Sequence, residues 1–191
     1  MLERLRKIIA RCIDSIASIA VKLKLTPGFI CLLGLLFALA SGLILYLYGL
    51  RLCFYASLLI LLSGFMDVLD GAVARLTNRV SRFGAFLDST VDRVSESVML
   101  GGIILGGLCD TLIGFVALVA SFLTSYMRAR AESIGINLAG VGIGERAERI
   151  IILGFLTMLG YPNLAVTVIA ILSTITSTHR FLYVYVKSRR L

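Results

Sequence analysis

From Leu25 to Leu50 no residue carries a charge, and after Arg51 none does until Asp67. An apolar run of about 20 residues has the length of a helix that crosses the hydrocarbon of a bilayer. Nothing constrains the chain more. Inside hydrocarbon every backbone N–H and C=O must be satisfied within the protein, and a single continuous segment does this as a helix. The hydropathy pattern continues to six candidate spans, over residues 29–49, 52–70, 84–107, 111–131, 146–160 and 163–186. The second and fifth are short in purely apolar residues, so polar residues must continue those helices. Hydrophobic residues make up 59% of the 191 positions and charged ones 16%, with a mean hydropathy of +0.97. A soluble domain is nearer 45–50% apolar and about a quarter charged. A water-soluble globule is excluded, as are a disordered chain, a coiled coil and a disulfide scaffold.

The formal net charge of +8 sits between the apolar runs and gives no reason to expect a nucleic-acid partner. Arg4, Arg6, Lys7, Arg11, Lys22 and Lys24 precede the first span, and Arg75, Arg79 and Arg82 follow the second. Arg128, Arg130, Arg146 and Arg149 bracket the join of the fourth and fifth, while Arg180, Lys187, Arg189 and Arg190 end the sixth. The other connections contain only Arg51. Basic residues collect on the cytoplasmic side, which predicts a multi-pass plasma-membrane protein with both termini in the cytoplasm. The first apolar run begins too late and runs too long for a cleavable signal peptide.

Ahead of the first span, Leu2, Leu5, Ile8, Ile9, Ile13, Ile16 and Ile19 recur at helical spacing, with Arg6, Lys7 and Arg11 elsewhere on the wheel. This pattern predicts an interfacial amphipathic helix lying on anionic headgroups. The expected organisation is one membrane domain over 1–191: a juxtamembrane helix in 1–26 and a six-helix core in 27–191. Cys12, Cys31, Cys53 and Cys109 are widely spaced and read as apolar helix residues, with an outer Cys53–Cys109 disulfide left open. His179, the only histidine, reads as an interfacial or packing residue. The Gly101-Gly102 and Gly106-Gly107 pairs suit helix packing or dimerisation.

Five of the 11 acidic residues, Asp67, Asp70, Asp88, Asp92 and Glu96, fall within 30 positions at the end of the second span and the start of the third. A carboxylate at membrane depth costs about 2.5–3.5 kcal/mol, so four bare aspartates would cost on the order of 10 kcal/mol. They need cations. Asp67 and Asp70 are i, i+3 on one helix, and Asp88 and Asp92 are i, i+4 on the next, so each pair projects from a single face. The short polar connection predicts neighbouring helices with opposed acidic faces. Four hard oxygen-bearing groups with no His or Cys nearby suit Mg²⁺ or Mn²⁺ and argue against zinc. Two such ions are what in-line phosphoryl transfer uses. Gly71 and Ala74 leave gaps beside the carboxylates where a diphosphate could approach, and Gly84 is expected to allow close helix packing. The alternative is a structural ion-pair cluster, with Arg75 and Arg93 offsetting two of the acids.

The segment Asp67-Val-Leu-Asp70-Gly71-Ala-Val-Ala74-Arg75, followed after eight residues by Gly84 and then by Asp88 and Asp92, resembles the CDP-alcohol phosphotransferase signature D-x2-D-G-x2-A-R-x8-G-x3-D-x3-D. All eight fixed positions are present. The resemblance implies six transmembrane helices around a polar cavity open to the cytoplasm, usually in a homodimer. It implies that Asp67, Asp70, Asp88 and Asp92 bind two divalent cations, Mg²⁺ or alternatively Mn²⁺, with Asp92 also accepting the proton. Gly71, Arg75 and Ser81 would contact the CDP part of a CDP-lipid donor. Thr26-Pro27-Gly28-Phe29 matches the family's nucleotide-side turn, although Asn or Asp is commoner where Gly28 stands.

The segments Ser125–Glu132, Gly144–Arg149 and Arg82–Arg93 are similar to the branch of that family whose acceptor is an inositol phosphate. That resemblance makes Arg128, Arg146 and Arg180 the phosphate-binding residues of the acceptor. Independently, a phosphate dianion calls for arginine forks, which bind its oxygens bidentately. Within the family the alternatives are synthesis of phosphatidylglycerophosphate and of a di-inositol phosphate. From a different class, a membrane cation transporter would place its carboxylates near the bilayer midplane, and a catalytically silent membrane scaffold finds no support beyond the glycine pairs.

Overall fold

The computed structural model describes residues 2–189, with side chains from Cys12 onward. It contains seven α-helices and, among the described residues, no strand. They are α1 (Leu2–Lys22), α2 (Pro27–Tyr48), α3 (Cys53–Leu76), α4 (Arg82–Leu105), α5 (Thr111–Ser133), α6 (Arg146–Met158) and α7 (Pro162–Ser188). Local chemistry fixes their starts. The Thr26 and Ser81 hydroxyls and the Asp110 carboxylate accept hydrogen bonds from Phe29, Gly84 and Ile113 N–H respectively, each satisfying one orphan donor of a first turn. Pro27 and Pro162 occupy first-turn positions where no donor is lost.

Three stretches are long and apolar enough to cross a membrane: Pro27–Leu76, Thr111–Ser133 and Pro162–Ser188. The first is not one rod. Gly49 adopts φ +57°, a left-handed conformation open to glycine, and a 3₁₀ turn over Gly49–Leu52 folds α3 back along α2. Both α4 and α6 match predicted spans in position, but α4 is more polar and α6 has only 13 residues.

The central helix is α2, packed against α3 on one side and α4 on the other. A Cβ added to Gly102 would lie 2.3 Å from Gly42 O, and one added to Gly106 would lie 2.6 Å from Leu45 O. Gly102 and Gly106 therefore serve packing within the chain, backbone against backbone, whereas nothing lies within 4 Å of a Cβ on Gly101 or Gly107. The expected close pairing of α3 with α4 does not occur: these helices touch little and both lie along α2. A Cβ on Gly84 would meet only Ser81 Oγ, at 3.1 Å, so Gly84 opens space at a helix start instead of admitting a neighbouring helix. The main core gathers Leu45, Ile60, Met99, Ala117, Leu153 and Ile169 from six helices. The outward faces carry exposed Leu36, Phe115, Phe155 and Leu164. An apolar belt of this kind is stable against hydrocarbon and costly against water.

Of the N-terminal stripe, Leu2, Leu5, Ile8 and Ile9, together with Arg6, Lys7 and Arg11, lie outside the described side chains. The rest differs from a helix that only rests on headgroups. Ala17 and Ala20 are buried against Leu69, Ala72 and Val73 of α3, whereas Ile16 and Ile19 are exposed. Small residues, with Ile13 and Val21 half-buried beside them, dock α1 onto the bundle, and Ile16 and Ile19 face outward. Cys12, Cys31, Cys53 and Cys109 are all free thiols, so the outer disulfide is not formed. His179 is exposed.

Candidate active site

The start of α2, the last turns of α3 and the first turns of α4 enclose a cavity of about 400 Å³. Asp67, Asp70 and Asp88 lie on its wall, and one carboxylate oxygen from each falls within 4.8 Å of the other two. Asp70 is buried, and its Oδ2 has no hydrogen-bond partner. A buried unsatisfied carboxylate oxygen is costly unless a cation completes it. With three hard oxygen donors converging and one orphaned, the site fits a divalent ion such as Mg²⁺ or Mn²⁺.

Residues expected on the donor side line the same cavity: Pro27, Gly28, Gly71, Ala74, Arg75 and Ser81. The other two members of that set stand apart. Thr26 caps α2, and Phe29 is exposed outside the cavity. Nothing lies within 4 Å of where a Cβ of Gly28 would be; the backbone at this corner is bare to a ligand. The sequence singled out Gly28 for its departure from the family pattern, and the open space is the structural counterpart.

A second cavity, of about 190 Å³, opens on the other side of Asp67. Asp92 and the three arginines expected to bind a phosphate, Arg128, Arg146 and Arg180, all line it. Arg146 Nη1 lies 2.7 Å from Asp67 Oδ2 and 2.8 Å from Asp92 Oδ1, while its Nε is buried and unpartnered. Asp92 lies outside the close trio and shares Arg146 with Asp67. Arg93 stands 3.7 Å from Asp92 and also donates to the Ser89 carbonyl. Arg128 is exposed and paired with Glu132 at 3.0 Å. Arg180 donates to the carbonyls of Val141 at 2.9 Å and Thr124 at 2.6 Å.

The Val141 carbonyl belongs to a feature that hydropathy did not reveal. The connection from α5 to α6, residues 134–145, packs on the ends of α5 and α7 with Ile136 and Leu138 fully buried, and its last residue, Glu145, lines the second cavity. Thr176 accepts from Ile143 N–H at 3.2 Å and donates back to the Ile143 carbonyl. At Gly142, with φ +110°, a Cβ would sit 2.4 Å from Thr176 Cγ2. The sequence signal was available in four glycines, Gly135, Gly140, Gly142 and Gly144, within one connection. Sequence reading also missed that Glu96 and Arg149 form a buried pair beneath the site.

The fold agrees with comparison to known proteins. The chain belongs to the CDP-alcohol phosphatidyltransferase family, whose model matches residues 24–179. Within it, the chain is 38% identical to the archaetidylinositol phosphate synthase of Pyrococcus horikoshii, over all of this chain and 98% of that protein. It is 42% identical to the protein of the same description from Methanothermobacter thermautotrophicus, over 97% and 94% of the two chains. The crystal structure of Mycobacterium tuberculosis phosphatidylinositol phosphate synthase with CDP-DAG bound superposes with a TM-score of 0.78 at 29% identity, covering 92% of this chain and 94% of that one. A structure of the same enzyme in complex with manganese and citrate gives a TM-score of 0.76 at 28% identity, over 91% and 88%.

Proposed function

We propose that the protein transfers a phosphatidyl or archaetidyl group from a CDP-lipid to a hydroxyl of an inositol phosphate and releases CMP. The observation that carries this reading is that one carboxylate, Asp67, forms a wall of both cavities. The larger holds the acidic trio and the donor-side residues; the smaller holds Asp92 and three arginines. A diphosphate in the first and a phosphate ester in the second would bring their reacting ends together at Asp67. Similarity to inositol phosphate synthases and to the CDP-DAG-bound enzyme supports these substrates.

Asp67, Asp70 and Asp88, with Asp92 beside them, would hold divalent cations, proposed as two Mg²⁺ with Mn²⁺ able to substitute. Such ions neutralise the diphosphate and the charge that builds on departing CMP. The chain's own residues do the rest. Gly28 and Gly71 admit the donor close to backbone, and Arg75 and Ser81 face it. Arg128, Arg146 and Arg180 hold the acceptor phosphate so that its hydroxyl points at Asp92, which pre-pays orientation. Asp92 takes the hydroxyl proton as that oxygen bonds to the lipid-bearing phosphorus, and the bond from that phosphorus to CMP breaks. No covalent enzyme intermediate is required.

Around this site we propose one domain over residues 1–191. Helices α2–α7 would be six spans, with both termini and the cavities on the cytoplasmic side of the plasma membrane. Helix α1 would lie at the inner surface. The protein is proposed to be a homodimer, on the family pattern. The deciding experiment incubates the purified protein with CDP-diacylglycerol or CDP-archaeol, Mg²⁺, and a panel of acceptors, and weighs the lipid product. A lipid product in which an inositol phosphate has replaced CMP supports the assignment. Products formed only with glycerol phosphate, or with an alcohol bearing no phosphate, would overturn it.

A further inference from the structure

Glu96 sits one turn beyond Asp92 on α4, and Arg149 one turn beyond Arg146 on α6. The two helices are therefore joined by two rungs. The outer rung is Arg146–Asp92, at the mouth of the second cavity. The inner rung is a two-pronged pair: Arg149 Nε donates to Glu96 Oε1 at 2.6 Å and Nη2 donates to Oε2 at 2.9 Å. Its members are 2% and 5% exposed. The remaining nitrogen of Arg149 reaches the Gly144 carbonyl at 3.0 Å and Thr124 Oγ1 at 3.5 Å.

A buried ion pair is a poor source of stability, because desolvating both charges offsets most of their attraction; an apolar pair of the same size often serves as well. What a fork-on-carboxylate pair supplies is geometry. Geometry is what this junction lacks, since α4 packs on α2 and α5 while α6 packs on α3 and α7. Helix-on-helix packing does not set the position of Arg146 relative to Asp92. Arg149 also grips the carbonyl of Gly144, two residues ahead of Arg146, where φ is +75° and a Cβ would press on Leu172 at 3.0 Å.

We infer that Glu96 and Arg149 are positioning residues for the acceptor side of the active site: their pair fixes the first turn of α6 so that Arg146 faces Asp92 across the second cavity. The inference rests on the reading of that cavity as the acceptor site.

The test uses the full-length protein in detergent with CDP-diacylglycerol and inositol 1-phosphate, and compares wild type, Arg149→Lys, the apolar double variant Glu96→Leu/Arg149→Met, and Arg146→Ala. Thermal unfolding is measured beside KM for each substrate. The double variant is expected to unfold near the wild-type temperature while its KM for inositol 1-phosphate rises roughly ten- to hundredfold, the scale of a displaced positioning group. Its KM for the CDP-lipid is expected to stay within about twofold of wild type, since the donor cavity lies beyond Asp67. Should the double variant fail to fold, Arg149→Lys carries the test: it keeps the charge, loses the fork, and is expected to give the same split. An unchanged acceptor KM in a folded variant overturns the inference, as does an equal rise for both substrates. If Arg146→Ala raises the acceptor KM and the pair variants do not, the positioning role alone is lost. If wild type does not use inositol 1-phosphate, the acceptor reading itself falls.

Discussion

Arg146 and Asp67, 79 positions apart in the chain, meet at 2.7 Å on the partition between the two cavities. The guanidinium lies where it can compete with a metal for Asp67 and can also serve an incoming phosphate.

Removing it should therefore move two affinities in opposite directions. In Arg146→Ala, Mn²⁺ titrated by electron paramagnetic resonance is expected to bind about fivefold more tightly, the scale of losing one partly exposed ion pair. The KM for inositol phosphate is expected to rise roughly ten- to hundredfold, the worth of charged hydrogen bonds. A variant that weakens metal and acceptor alike would deny the competition.

Asp92→Asn should keep CDP-lipid binding and lose turnover by about 10²–10⁴-fold, the usual contribution of a positioned base. Binding is read by equilibrium dialysis with a labelled CDP-lipid and turnover by CMP release. Turnover near wild type would remove Asp92 as the proton acceptor.

Asp70 brings a buried oxygen with no partner, so its neutral amide should abolish metal binding rather than tune it. Asp70→Asn is expected to show no saturable Mn²⁺ signal and no CMP release. It should unfold at or above the wild-type temperature in metal-free buffer, because an uncompensated buried charge has been removed. A clear fall in that temperature would mean that the carboxylate is held by something other than a metal.

Gly101 and Gly102 are adjacent and should respond in opposite ways. A methyl group on Gly101 meets nothing within 4 Å, whereas on Gly102 it runs into the Gly42 carbonyl at 2.3 Å. Gly102→Ala is expected to cost about 1–3 kcal/mol through overpacking, read as a lower unfolding temperature in detergent. Gly101→Ala should be neutral. Equal effects would mean that α2 and α4 do not approach through these glycines.

Much of this was visible in one dimension. The apolar runs gave the six core helices with ends within six residues, the largest difference being at the polar end of α3, because a helix in hydrocarbon leaves a continuous mark. The signature gave the acidic trio, because Asp67, Asp70 and Asp88 act through fixed spacing on helices whose period is known. Reading failed where meaning depends on a partner far along the chain. Glu96 looked like a fifth member of the acid cluster, and nothing local distinguishes it from Asp92; only the arrival of Arg149 makes it a strut. Likewise the pattern of large isoleucines pointed to a headgroup-facing helix, whereas Ala17 and Ala20 make the contact with α3, since docking selects for smallness and hydropathy rewards bulk. Gly84 was assigned to helix contact when it serves a cap, because both uses ask for the same absent side chain.

The brevity of α6 has one more implication. Thirteen residues rise roughly 20 Å, against about 30 Å of hydrocarbon, and the helix begins at Arg146. On the six-span reading the bilayer must dimple at that corner, or water must fill the gap. A hydrophilic reactant then descends to the depth at which the lipid's phosphorus already resides, and the lipid need not be lifted out of its leaflet to react.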